Sequence, residues 1–105
     1  MLNEILIPRT LDAVIIALCA DYARRAKAIE EGKIPFNVTM EYRFLNYRIL
    51  NAAMEASGER DALKFVNEIG NRRGYVDSET YLSESVYKNR KREVKENIAK
   101  KLSLI

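Results

Sequence analysis

Apolar residues recur every three or four positions along most of the chain, which is the spacing of one face of an α-helix. Thr10 and Thr39 stand where helix N-caps are expected. No stretch alternates apolar and polar residues for long enough to predict a strand. The first part of the pattern predicts three helices, over residues 11–31, 40–56 and 60–71.

The remaining part of the chain predicts one more helix. The segment that follows the third helix, as far as Leu82, reads as a loop with one short turn after Ser78. Ser83 or Ser85 can cap a last helix that runs nearly to the end of the chain. One side of this helix carries an apolar stripe of Tyr87, Val94, Ile98, Leu102 and Ile105. The predicted fold class is therefore all-α, a single small bundle of four main helices with a long C-terminal helix.

Composition adds exclusions to this picture. A chain of 105 residues with four Gly and two Pro predicts one domain, residues 1–105. It has no histidine, which excludes Ser-His and Cys-His nucleophile pairs and the common zinc sites. Its one cysteine, Cys19, cannot form an internal disulfide and reads as a small core residue. We therefore expect no enzyme activity, metal, cofactor or small-molecule substrate.

The most apolar stretch, residues 11–20, is too short to cross a membrane. It contains Asp12 and is followed by Asp21. It also lacks the basic leader of a signal peptide, since Glu4 precedes it. These observations predict a cytoplasmic protein that does not bind a membrane.

The positive charge is concentrated in the last predicted helix. Residues 83–105 hold seven of the 18 basic and three of the 15 acidic residues, a net charge of +4. The other 82 residues therefore carry 11 basic and 12 acidic side chains, a net charge of −1. A local basic helix attracts phosphate in a way that a scattered charge does not.

Polar side chains line the side of this helix opposite its apolar stripe. Arginine can bind guanine edges, asparagine can bind adenine, and lysine and serine can anchor phosphates. The arrangement predicts a helix that enters the major groove of duplex DNA, with Arg72 and Arg73 on the backbone nearby. A merely solvated helix face and binding to RNA remain alternatives. The predicted contact residues of the helix are Ser85, Lys88, Asn89, Arg92 and Lys95.

The segment 82–91, together with the ending Ile98-Ala-Lys-Lys-Leu102, resembles the recognition helix of sigma-like helix-turn-helix regulators. The likeness is greatest to phage-encoded transcriptional regulators of the ArpU and RinA type. It implies that residues 60–105 form a DNA-binding part that regulates transcription. Two features differ from such regulators: residues 75–82 lack the usual Ala-x-x-Leu-Gly pattern, and the link of about ten residues before the last helix exceeds a helix-turn-helix turn.

A second surface is predicted on the second helix, which is apolar on two sides. One of these sides carries Met40, Tyr47, Leu50 and Met54. It can face another helix of the same chain, or it can face a second copy or another protein. The alternative function is therefore a helical adaptor or protein-interaction module, either monomeric or homodimeric. In that case the basic helix contacts only solvent.

Overall fold

Six helices make up most of residues 7–105, the part of the chain that this computed structural model describes. Glu4, the acidic residue that speaks against a signal peptide, lies outside the described residues. No β-strand occurs within this range, and the all-α prediction is confirmed. The helices are α1 (Arg9–Ala20), α2 (Tyr22–Glu31), α3 (Phe36–Ser57), α4 (Glu59–Gly70), α5 (Tyr75–Ser78) and α6 (Glu84–Lys101).

The first predicted helix is in fact two helices, α1 and α2, which meet at Asp21. The buried Arg25 donates to the carbonyl oxygen of Leu18 at 2.7 Å, so this side chain serves one of the carbonyls at the end of α1. Asp21 accepts from the Arg24 guanidinium at 2.5 and 2.6 Å. The apolar spacing predicted one continuous helix here, so this prediction is wrong at Asp21.

The second predicted helix begins earlier than expected, at Phe36 instead of Met40. Pro35 precedes it with φ −59° and ψ 153°, and its carbonyl oxygen accepts the first helical hydrogen bond, from the Thr39 amide, at 3.0 Å. The Thr39 hydroxyl donates to the same carbonyl at 3.2 Å, so Thr39 lies inside the first turn and does not cap the helix. Proline suits this position because its ring fixes the φ angle with which the chain enters the helix.

The hydrophobic core lies where α4 and α6 pack on the second half of α3, with α1 packed against α4. Ile15, Ile49, Val66 and Ile98 are fully buried there. The helices α1 and α4 approach most closely at Gly70, where an added Cβ would lie 2.6 Å from the Ala20 backbone nitrogen. Glycine at position 70 thus allows a contact that any side chain would prevent.

α6 runs antiparallel to α3, and several side chains tie the two helices together. The Asn97 amide donates to the Ala52 carbonyl oxygen at 3.2 Å, and Arg90 donates to that of Ala56 at 3.2 Å. Lys101, the last residue of α6, forms a 2.5 Å ion pair with Glu55 on α3. These bonds fix the rotation of α6, which decides which of its side chains face outward.

Candidate nucleic-acid interface

The side of α6 that packs on the body is apolar and buried. Tyr87, Val94 and Ile98 are at most 1% exposed, which confirms them as members of the predicted stripe. Leu102 is half-buried at the end of the helix, whereas Ile105 is 52% exposed beyond it. Burial of each large apolar side chain is worth about 1.5–3 kcal/mol, so this stripe holds α6 on the body.

A buried carboxylate on α4 fixes the beginning of α6. Glu68 is 6% exposed, and its Oε1 accepts from the Tyr87 hydroxyl at 2.7 Å. Its Oε2 accepts from the Ser78 hydroxyl at 3.0 Å, and Lys64 lies 3.6 Å away. Burial, and next this hydrogen bond, raise the pKa of Tyr87 to about 12. One side chain therefore joins α4, α5 and α6.

A short helix, α5, precedes α6 where the sequence predicted a loop. It ends at Ser78, whereas a turn was expected after that residue. Glu79 then adopts a left-handed conformation with φ 53°, and the Tyr75 hydroxyl donates to the Leu82 carbonyl oxygen at 2.9 Å. Residues 79–82 separate α5 from the N-cap of α6. Counted to the start of α6 at Glu84, the link is five residues long and α5 is a single turn, so both differ from a helix-turn-helix with its three- to four-residue turn.

The first turn of α6 is capped by one of the two serines that the sequence offered. The Ser83 hydroxyl oxygen accepts from the Val86 amide at 3.4 Å, whereas Ser85 lies inside the helix. Since Ser83 takes the capping role, the Ser85 hydroxyl remains on the exposed side of the first turn.

Four of the five predicted contact residues on α6 are exposed: Ser85, Lys88, Asn89 and Arg92. Lys95 differs from the other four, because its ammonium turns toward α1 and forms a 2.9 Å ion pair with Asp12. The Lys95 side chain is only 21% exposed. The polar side of α6 is therefore open in its N-terminal half.

Carboxylates on α6 accompany the exposed cations. Lys88 lies 2.7 Å from Glu84, and Arg92 lies 3.7 Å from Glu96. Pairs one helical turn apart at a solvent-exposed surface are weak, because water and salt screen them and both side chains lose freedom. Lys88 can consequently exchange Glu84 for a phosphate oxygen at small cost, whereas Glu96 is only 14% exposed, so its pairing with Arg92 is not a surface pair of this kind.

The predicted backbone-binding pair, Arg72 and Arg73, lies in the turn after α4 and is exposed. The Lys91 ammonium donates to the Arg73 carbonyl oxygen, which places this turn beside α6. Burial lowers the pKa of Lys91, whose nitrogen also lies 5.8 Å from the centre of the Tyr87 ring. The structure thus brings the backbone of Arg73 next to the helix with which the two arginines were grouped.

Three features near α6 were not identified from the sequence. Glu68 lies one turn from Phe65 on the inward side of α4, and this position was the available signal. Arg60 stacks on the exposed Tyr81 ring, 4.5 Å from its centre, in a pairing between α4 and the turn before α6. Arg90, also exposed, adds a cation near the first half of the helix. The stacking of Arg60 on Tyr81 depends on the path of residues 79–82, which helical periodicity cannot predict.

The predicted protein-binding side of α3 is divided in the structure. Met40 and Tyr47 are 47% and 69% exposed, whereas Leu50 and Met54 are half-buried against the core. Phe44 was not in the predicted set and is 57% exposed beside them. The exposed apolar surface is consequently on the first half of α3.

Residues 7–105 contain neither a metal-binding cluster nor a membrane-spanning helix. No three His, Cys, Asp or Glu side chains come together there in a way that could hold a metal ion. None of the helices in this range combines the length and the apolarity needed to cross a membrane. Cys19 is buried, and burial raises the pKa of its thiol to about 12.

No family model, curated protein or solved structure matches the chain. The functional assignment therefore depends on the residues and geometry of this chain.

Proposed function

We propose that the protein is a small DNA-binding transcriptional regulator whose helix α6 enters the major groove of duplex DNA. The observation that carries the proposal is the two-sided character of α6. Its inner side is buried through Tyr87 and Val94, while Ser85, Lys88 and Arg92 are exposed on the other. A helix anchored in this way can be inserted into a groove without disturbing the body that carries it.

The first half of α6 supplies both kinds of contact that DNA recognition requires. Asn89 and Arg92 can bind base edges, and Lys88 and Ser85 can bind phosphates. The N-terminus of α6, which Ser83 caps, adds free backbone amide groups and the positive end of the helix dipole next to these side chains. Arg73 lies next to this half, since Lys91 contacts its carbonyl oxygen. The resemblance to phage regulators of the ArpU and RinA type supports the same role, and a cytoplasmic location is part of the proposal.

A binding titration on the full chain tests this function. Fluorescence anisotropy of a labelled random-sequence duplex, measured at several salt concentrations, should give a log–log slope of about −4 to −5 if about five phosphates are contacted. The double variant Lys88→Ala/Arg92→Ala should bind about 30- to 100-fold more weakly. Glu84→Gln should bind more tightly, because a carboxylate next to the phosphates is removed.

The matched control removes two cations from another part of the molecule. Lys27 and Lys33 are exposed on and just after α2, and Lys27→Ala/Lys33→Ala changes the net charge by the same amount. This control should retain most of the affinity. The proposal is wrong if the parent does not bind duplex DNA at low salt, if both double variants weaken binding equally, or if the chain binds duplex RNA in preference to DNA.

The second candidate function is a protein-binding adaptor, and the exposed apolar side chains of α3 favour it. The two functions differ in the surface that they use. An adaptor would tolerate Lys88→Ala/Arg92→Ala, whereas it would lose its partner when Phe44 or Tyr47 is replaced by a charged residue.

A further inference from the structure

The first half of α3 presents a stripe of large apolar side chains to solvent. Phe36, Met40, Phe44 and Tyr47 are 79%, 47%, 57% and 69% exposed, respectively. Their spacing of four, four and three residues places them on one side of the helix. The opposite side packs inward, with Asn46 and Ile49 buried. This set of four side chains is called the α3 stripe below.

The size of the α3 stripe is unusual for a small monomer. Since an aromatic side chain has about 150–250 Å² of surface, the four exposed fractions amount to about 500 Å². Isolated exposed apolar residues need no explanation, but a contiguous patch of this size marks an interaction surface. If two copies paired through it, at most about 1,000 Å² would be buried by these side chains, which is the lower limit for a specific interface.

Charged residues on one edge of the stripe indicate which partner fits. Glu41 and Arg48 are seven residues apart and therefore lie on the same edge. The Arg48 guanidinium lies 4.5 Å from the centre of the Phe44 ring, so it borders the stripe directly. It uses Nη1 to donate to the Lys101 carbonyl oxygen at 2.9 Å, and its other N–H groups can take a second partner.

We propose that a second copy of the chain docks on the α3 stripe with its own α3 antiparallel to the first. In this arrangement the Phe44 ring meets Tyr47 of the other copy, and the symmetry axis passes between these positions. Glu41 of each copy then faces Arg48 of the other, which makes two equivalent ion pairs. A parallel pair would instead bring Arg43 toward Arg48 of the other copy, which is repulsive.

The surface beside the stripe has the shape that this pairing needs. A shallow depression of about 420 Å³ lies between α3 and the end of α6. It is lined by Glu41, Phe44, Leu45, Arg48 and Leu102. With the axis near Phe44, the Tyr47 ring of the second copy reaches this depression, which is apolar on its floor and charged at its edge. One surface therefore supplies both the projecting ring and the depression, as a two-fold interface requires.

Sedimentation velocity of the full chain without DNA tests the dimer, so the result is independent of DNA binding. The parent should sediment as a dimer at tens of micromolar. Phe44→Asp should weaken the dimer about 100-fold or more and give a monomer. Val76→Asp is the matched control, because Val76 is an 84% exposed apolar residue on α5, away from the stripe. This control should remain dimeric.

Charge reversal tests the antiparallel arrangement. Glu41→Arg and Arg48→Glu should each weaken the dimer about tenfold, and Glu41→Arg/Arg48→Glu should restore it. The contact of Arg48 with the Lys101 carbonyl is not restored in the double variant, so recovery must come from the second copy. A monomeric parent, a dimer that survives Phe44→Asp, or single reversals that are not rescued by the double reversal would each overturn the proposal.

Discussion

The two halves of the molecule are each organised around one buried charged side chain. Glu68 joins α4, α5 and α6 beneath the proposed DNA-binding helix, and Arg25 joins α1, α2 and α3 beneath the α3 stripe. Arg25 is 3% exposed and donates to Asn46 Oδ1 at 2.6 Å and to the Leu18 carbonyl oxygen at 2.7 Å. Each of these buried side chains fixes the helix that carries an exposed surface: α6 in the case of Glu68 and α3 in the case of Arg25.

The partners of the two side chains differ, and so do the consequences. Glu68 accepts hydrogen bonds from the hydroxyl groups of Tyr87 and Ser78. These hydroxyls can donate to another acceptor of similar shape at the same position. Arg25 serves a backbone carbonyl at the break between α1 and α2, where a smaller side chain cannot reach. Burial lowers the pKa of the Arg25 guanidinium, against the opposing charge of Asp21. We therefore expect Arg25 to be harder to replace than Glu68.

Removal of Arg25 should have the largest effect. Arg25→Met keeps much of the apolar stem but leaves Asn46 Oδ1 and the Leu18 carbonyl without their donor, which should cost about 3 kcal/mol. The melting temperature should fall by about 12–20 °C. Hydrogen exchange should quicken in α2 and the first half of α3 and change less in α5 and α6. Arg24→Met is the control, because this neighbouring arginine is exposed, and it should lower the melting temperature much less.

The variant Glu68→Ala should lower the free energy of unfolding less, by about 2 kcal/mol. Its changes in hydrogen exchange should lie in the other half of the molecule. The Tyr87 and Ser78 hydroxyls lose their acceptor, so hydrogen exchange should quicken in α5 and the first turns of α6 while the hairpin of α2 and α3 stays protected. Glu68→Gln offers an acceptor and a donor of the same size and should cost about 1 kcal/mol. Equal protection changes in both halves for Glu68→Ala and Arg25→Met would show that the two halves are not separate units.

The sequence predicted what depends on the spacing of apolar residues. The inward side of α6 and the exposed position of Lys88 follow from helical periodicity, whereas capping preferences left Ser83 and Ser85 as equal candidates for the cap. Lys95 could not be placed in this way, because its partner, Asp12, is remote in sequence. The break at Asp21 was missed for the same reason: it depends on Arg25 being buried against α3, which is a tertiary contact.

Alkaline pH should also distinguish the two halves, through groups whose pKa is raised to about 12, with effects of about 1–3 kcal/mol near pH 11. The Cys19 thiol, whose ordinary value is 9.0, lies in the half that contains Arg25, and the Tyr87 phenol, with 10.0, lies in the half that contains Glu68. In each case the unfolded chain loses the proton first and the folded state keeps it. The unfolded state then binds fewer protons, so stability falls as pH rises, from pH 9 for the thiol and from pH 10 for the phenol.

Urea unfolding of matched variants from pH 7 to about pH 11 separates the two contributions. Each variant is compared with itself at pH 7, which removes the cost of the substitution. In Cys19→Ala the fall in stability should begin about one pH unit later than in the parent, whereas in Tyr87→Phe it should begin at the same pH and be shallower above pH 10. Lys91 contributes with the opposite sign, because its lowered pKa favours the folded state as pH rises. Identical pH profiles for the parent and Cys19→Ala would contradict this prediction. They would show that the pKa of the Cys19 thiol is not raised by burial in the half that contains Arg25.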